Sequence, residues 1–105
     1  MKMVKAVIRP EKEAEVVNAL EQRGFYSLTK VDVLGRGRQK GIRLHGAAYT
    51  ELPKLMLILV VEDADAAAVV ETIHASAQTG NFGDGKIFVS EVAEAYTIRT
   101  GEARL

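Results

Sequence analysis

Apolar and polar positions alternate between two periods along this chain, and the switches between them mark out the elements. Val4-Lys5-Ala6-Val7-Ile8 reads as a first strand, stopped near Pro10. From Glu11 to Gln22, Ala14, Val16, Val17, Ala19 and Leu20 recur among charges at roughly helical spacing, and Gly24 is placed to cap the helix. Phe25 to Leu34 reads as a second strand, interrupted by the polar Ser27, Thr29, Lys30 and Asp32. Periodicity is then lost through Glu51, and Pro53 closes the irregular stretch. Leu55 to Val61 is apolar without a break, which predicts a strand buried on both faces. Glu62-Asp63-Ala64-Asp65 opens a second helix running to about Ala77. Its carboxylates complement the positive end of the helix dipole better than they suit a metal site. Ile87 to Val92 predicts a further strand, Ala95 to Ile98 a short last one, and Arg99 begins a tail.

The order is βαββαβ with one extra short strand. It predicts an α+β, ferredoxin-like sandwich, one sheet with both helices on one face. A consequence follows for the third strand. Helices cover only one side of it, so its second apolar side would be a larger exposed patch than a monomer ordinarily carries. The pattern therefore predicts a homo-oligomer in which sheet faces pack together, with ligand loops near the subunit boundaries.

Composition narrows the function classes. The 105 residues are expected to form one domain, 48% hydrophobic and 27% charged, an ordinary globular composition. Lys+Arg and Asp+Glu balance at 14 each, so no overall field attracts nucleic acid. The RNA-recognition signature that shares this topology is missing around Phe82 and Phe88. Cysteine is absent, which excludes disulfides and thiolate metal sites. His45 and His74 are too few for a transition-metal ligand set. Neither a signal-peptide core nor a run of about 18 apolar residues is present, so membrane insertion is not expected and the cytoplasm is the expected compartment.

The candidate chemistry lies in two glycine-spaced runs, Thr79-Gly80-Asn81-Phe82-Gly83-Asp84-Gly85-Lys86 and Gly35-Arg36-Gly37-Arg38-Gln39-Lys40-Gly41. Glycines let backbone N–H groups turn inward around an anion, and Lys86, Arg38 and Lys40 supply countercharge. Gly80 to Lys86 fits the opening of a P-loop, but Ile87 replaces the Ser or Thr that binds Mg²⁺ and a strand follows where a helix should. The two runs are expected to hold ATP between them. No nucleophile stands beside a base and an orienting acid, so an enzyme is not expected. A small phosphatase of this topology using Arg38, or a structural trimer without nucleotide, are the alternatives.

These runs, with Arg9-Pro10 after the first strand, Leu52-Pro53-Lys54 and Ile98-Arg99-Thr100-Gly101-Glu102, resemble the PII signal-transduction proteins, a nitrogen-regulatory family of small trimers. The resemblance runs nearly end to end. It implies a single domain over 1–105 with a flexible partner loop at about 37–54 and a tail at about 99–105. It also implies ATP or ADP in the cleft between subunits, bound by Gly37, Arg38, Gln39, Lys40, Gly83, Asp84, Gly85 and Lys86, with Thr29 and Arg99 reaching in from the neighbour. 2-Oxoglutarate would sit beside the nucleotide on Gln39, Lys40, Gly41 and Lys54, chelating a Mg²⁺ that touches Gln39. Departures exist. Thr97 stands where the common form has a second arginine, and the central loop is shorter. Tyr49 falls at the position modified in some members, but the flanks His45-Gly46-Ala47-Ala48 differ and no modification is expected. The short loop and the ending Ala93-Glu94-Ala95-Tyr96-Thr97-Ile98-Arg99 resemble the nitrogenase-associated branch, which implies nitrogenase, or another nitrogen-metabolism protein, as partner.

Overall fold

The computed structural model describes residues 1–37 and 51–105. Strand β1 spans Lys2–Ile8, and a single 3-10 turn at Pro10–Lys12 leads into helix α1, Glu13–Gln22. Strands β2 (Thr29–Gly35) and β3 (Leu52–Val61) follow, then helix α2 (Asp63–Ala77) and strand β4 (Gly85–Glu91). All pairings are antiparallel, in the order β2-β3-β1-β4. This is the ferredoxin-like α+β arrangement.

Local chemistry explains the element ends. Pro10 fits the first position of the turn, where its fixed φ is already suitable and its missing N–H costs nothing. Gly24 takes φ 87°, and the N–H groups of Gly24 and Phe25 donate to the carbonyls of Glu21 and Leu20, both at 2.9 Å. That is a Schellman closure of α1. At the start of α2, the amino terminus of Met1 pairs with Asp63 at 2.9 Å, so this carboxylate meets a cation as well as the helix dipole.

The core lies between the helices and one face of the sheet. Val4, Ala6 and Ile8 of β1 and Leu55, Leu57, Leu59 and Val61 of β3 meet Val16 and Leu20 of α1 and Val69 and Ile73 of α2. The register pairs Val4 with Leu59 and Ala6 with Leu57, so both central strands point the same parity inward. The opposite parity forms the other face. Met3, Val7, Met56, Ile58, Val60 and Val33 are there, all only half-buried, with Val31 and Phe88 exposed. Within one chain β3 is thus buried on one face and half-covered on the other. Continuous apolar sequence over 55–61 predicts double burial, and the helices can supply only half of it.

The strand starts of β2 and β3 differ most from the sequence expectation, and one expected strand is missing. Phe25 to Leu28 precede β2, whose pairing starts at Thr29. Phe25 and Leu28 pack instead against the core, which accounts for their apolar character. β3 begins at Leu52, earlier than the apolar run, and so includes Pro53 and Lys54. Its pairing with β1 ends at Leu55, leaving β2 as the neighbour at Pro53, where a missing N–H is tolerated. The expected short strand Ala95 to Ile98 does not form. The Thr97 N–H donates to the Glu102 carbonyl at 2.9 Å and the chain turns on itself at 98–100, without the neighbouring strand a ladder needs. Tyr96 and Ile98 stay exposed. Among the described residues no helix is long and apolar enough to cross a membrane.

Candidate functional site

Strand register carries the site's cations to the open face. Lys86 pairs with Val7, Val7 with Met56, and Lys54 lies two residues before Met56 on the same side of β3. Lys54, Lys86, Val7 and Phe88 therefore share the face that the helices leave uncovered. At the end where β4 begins, this face deepens into a cleft of about 570 Å³. Its walls come from Val7, Lys54, Lys86 and Phe88, with Gly35 to Gly37 on one lip and Asn81 to Gly85 on the other.

The second lip is a turn with a fixed shape. Gly80, Gly83 and Gly85 all take positive φ, 87°, 99° and 105°. At Gly85 no other residue fits, because a Cβ would lie 1.7 Å from the Val7 carbonyl oxygen. The Asp84 carboxylate points into the turn. It accepts the N–H of Thr79 at 2.7 Å, the N–H of Gly80 at 2.9 Å, the Thr79 hydroxyl, and Arg9 Nε at 3.0 Å. The hydrogen bonds from the Thr79 hydroxyl and N–H, aided by those from Arg9 and the Gly80 N–H, hold its carboxyl far below the usual carboxylate range. Two amides that the glycine pattern offers to a phosphate, those of Thr79 and Gly80, are thus satisfied within the protein.

Lys54 ties the cleft floor to that lip, its Nζ donating to the Gly83 carbonyl. Burial lowers its pKa, and the nearby Arg9 charge lowers it further. The ammonium is held where its charge is only partly compensated, a place that an anionic ligand would relieve.

The structure brings Gly37, Lys54, Gly83, Asp84, Gly85 and Lys86 to this one cleft. Arg38, Gln39, Lys40 and Gly41 fall outside the described residues, as do His45 and Tyr49. Thr29 and Arg99 are exposed and do not line the cleft of their own chain. Thr29 stands six residues from Gly35 along β2, roughly 20 Å at about 3.3 Å per residue. Sequence reasoning gave no role to Arg9, Val7 or Phe88. The period-2 parity of β1 and β4 carries Val7 and Phe88 once the register is known; Arg9 had no such signal beyond its place before Pro10.

The family model described as nitrogen regulatory protein P-II matches residues 1–102. The chain belongs to the PII family. PII proteins are regulatory signal transducers of nitrogen metabolism rather than enzymes, and they form trimers. Among curated relatives, a "nitrogen fixation nifHD region GlnB-like protein 1" of Methanothermobacter marburgensis is 57% identical over 105 residues, covering 100% of both chains. A protein of the same description from Methanococcus maripaludis is 61% identical over 100 residues, 95% of each chain. A "nitrogen regulatory protein P-II 2" of Methanothermobacter thermautotrophicus is 53% identical over 107 aligned positions, covering 98% of this chain and 93% of its own. The nif-type PII branch is therefore the neighbourhood of this sequence.

Proposed function

We propose that this nitrogen-regulatory protein binds ATP or ADP, with 2-oxoglutarate and Mg²⁺, in the open-face cleft between subunits of a homotrimer. The bound state passes through the loop at 37–54 to a target, and nitrogenase is the target the nif-region relatives suggest. One observation carries the reading: Lys54, Lys86 and a glycine-bent turn converge on a single cleft at the edge of an apolar face that needs a second copy to cover it. Two lysines suit phosphate and carboxylate oxygens, each charge-assisted hydrogen bond being worth roughly 1.5–3 kcal/mol.

Asp84 bears on how Mg²⁺ would be held. Its carboxylate is occupied by Arg9, Thr79 and Gly80, so it does not serve as a metal ligand. The residues fit an ion carried mostly by ligand oxygens and Gln39, which suits the preference of Mg²⁺ for phosphate and water. Bound there, the ion would neutralise phosphate charge. Lys54, at the foot of β3, would leave the Gly83 carbonyl for the distal carboxylate of 2-oxoglutarate.

Through that exchange, a ligand at the cleft alters how β3 and the turn are joined, and with them the segment running out of Gly37 and into Leu52. Such a ligand shifts the equilibrium of the segment by its differential affinity for the two states. Calorimetry with Mg-ATP, with and without 2-oxoglutarate, tests the reading. Lys54→Ala is expected to abolish 2-oxoglutarate binding and leave Mg-ATP binding largely intact; equal 2-oxoglutarate affinity in the two proteins would overturn the assignment.

A further inference from the structure

We infer that Arg9 is a positioning residue for the anion-binding turn, acting through Asp84 to fix the shape in which Gly83 and Gly85 face the cleft. The inference rests on the phosphate-binding reading above.

Arg9 leaves the end of β1 in extended conformation, next to the 3-10 turn. Its guanidinium forks around Gly83. Nε donates to Asp84 Oδ1 at 3.0 Å, and Nη2 donates to the Phe82 carbonyl at 2.8 Å. A Cβ on Gly83 would lie 3.2 Å from Nη2, so the guanidinium fills the space beside that glycine. Asp84, pinned from one side by Arg9, holds the Thr79 and Gly80 amides with its carboxylate. A single side chain just beyond β1 thereby ties the main chain at Phe82 and, at one remove, the entrance of the turn at Thr79.

An exposed ion pair between distant residues would count for little. This pair differs in two ways. Both side chains are only 24% exposed, and the carboxylate is shared by four donors, so removing Arg9 loosens a network rather than one contact. Arginine is suited to the task because its planar fork can serve a carboxylate and a carbonyl together, where a lysine offers a single point charge. Arg9 itself is not the anion's partner in this arrangement; Lys54 and Lys86 are.

The test uses the full-length protein with Arg9→Gln, Asp84→Asn and the double variant. Calorimetry gives the Mg-ATP Kd, and amide hydrogen exchange by NMR follows Thr79 and Gly80, with Val4 and Leu57 as sheet references. Each single variant is expected to raise the Kd about tenfold to a hundredfold, as loss of a charge-assisted contact would. The double is expected to be no worse than the weaker-binding single, because both dismantle one network. Exchange at Thr79 and Gly80 should quicken while Val4 and Leu57 stay protected. Parental Kd and exchange in Arg9→Gln, or strictly additive losses, would overturn the inference. So would loss of protection throughout the sheet, which would assign Arg9 to general stability. A parent protein that binds no Mg-ATP would instead overturn the proposed function, and the exchange rates alone would then decide the role of Arg9.

Discussion

Replacing Gly85 with alanine puts a methyl carbon 1.7 Å from the Val7 carbonyl oxygen, inside any contact that real Cβ atoms make. The obstacle is main chain at the end of the β1–β4 ladder, where Ile8 faces Gly85, so no side-chain rotation relieves it. β4 has to draw away from β1 by well over an ångström. The substitution also forces a side chain onto φ 105°, which costs an L-residue about 1–2 kcal/mol. Overpacking of this kind adds about 1–3 kcal/mol. The sum, about 2–5 kcal/mol, is a large share of the ~5–15 kcal/mol that holds a domain folded. Gly80→Ala is the internal control, since Gly80 has a similar φ of 87° but nothing within 4 Å of the added methyl. It should lose the conformational part alone, about 1–2 kcal/mol. Urea denaturation at one fixed protein concentration measures both, the concentration being held because assembly feeds into apparent stability. Equal losses for the two variants would refute the clash and, with it, the close approach of the turn to β1 that shapes the cleft.

Two further outcomes follow from other parts of the molecule. Ile58→Glu places a charge on the apolar open face, beside Thr29 and Lys5 in the register, and should leave a folded species sedimenting near 11.4 kDa instead of a trimer; an intact trimer would mean that this face is not the seam. Asp84 titrates below its ordinary 3.8 in the folded protein, so its contribution is full above 3.8 and fades as the pH falls through the depressed folded value. The difference in thermal midpoint between the parent and Asp84→Asn should accordingly be constant from pH 7 to about 5 and shrink as acid is added below 3.8; a gap that widens toward acid would contradict the sign.

The open face and the cleft belong to one physical problem. A sheet with helices on one side leaves its other side to be covered, and the trimeric habit of PII proteins answers that need. Lys54 and Lys86 lie at the margin of that face, on the cleft proposed above as the ligand site. Thr29 and Arg99, exposed and absent from their own chain's cleft, are free of any part in a one-chain site.

The alternation of period in the sequence was enough to determine five of the six principal elements closely and the sixth, β2, in its second half, because strand and helix period are properties of short windows. The glycine spacing likewise marked a turn within 79–86, where Gly80, Gly83 and Gly85 all take positive φ. Residue identity could not say that Arg9, 75 residues away in sequence, would arrive at 3.0 Å from the carboxylate of Asp84 that accepts the Thr79 and Gly80 amides. Nor could it place Val7 beside Lys86, which requires the β1–β4 register. The short strand expected at Ala95 to Ile98 failed for the same reason: its sequence is adequate for a strand, but a strand is defined by the neighbour it pairs with, and only the tertiary structure supplies or withholds one.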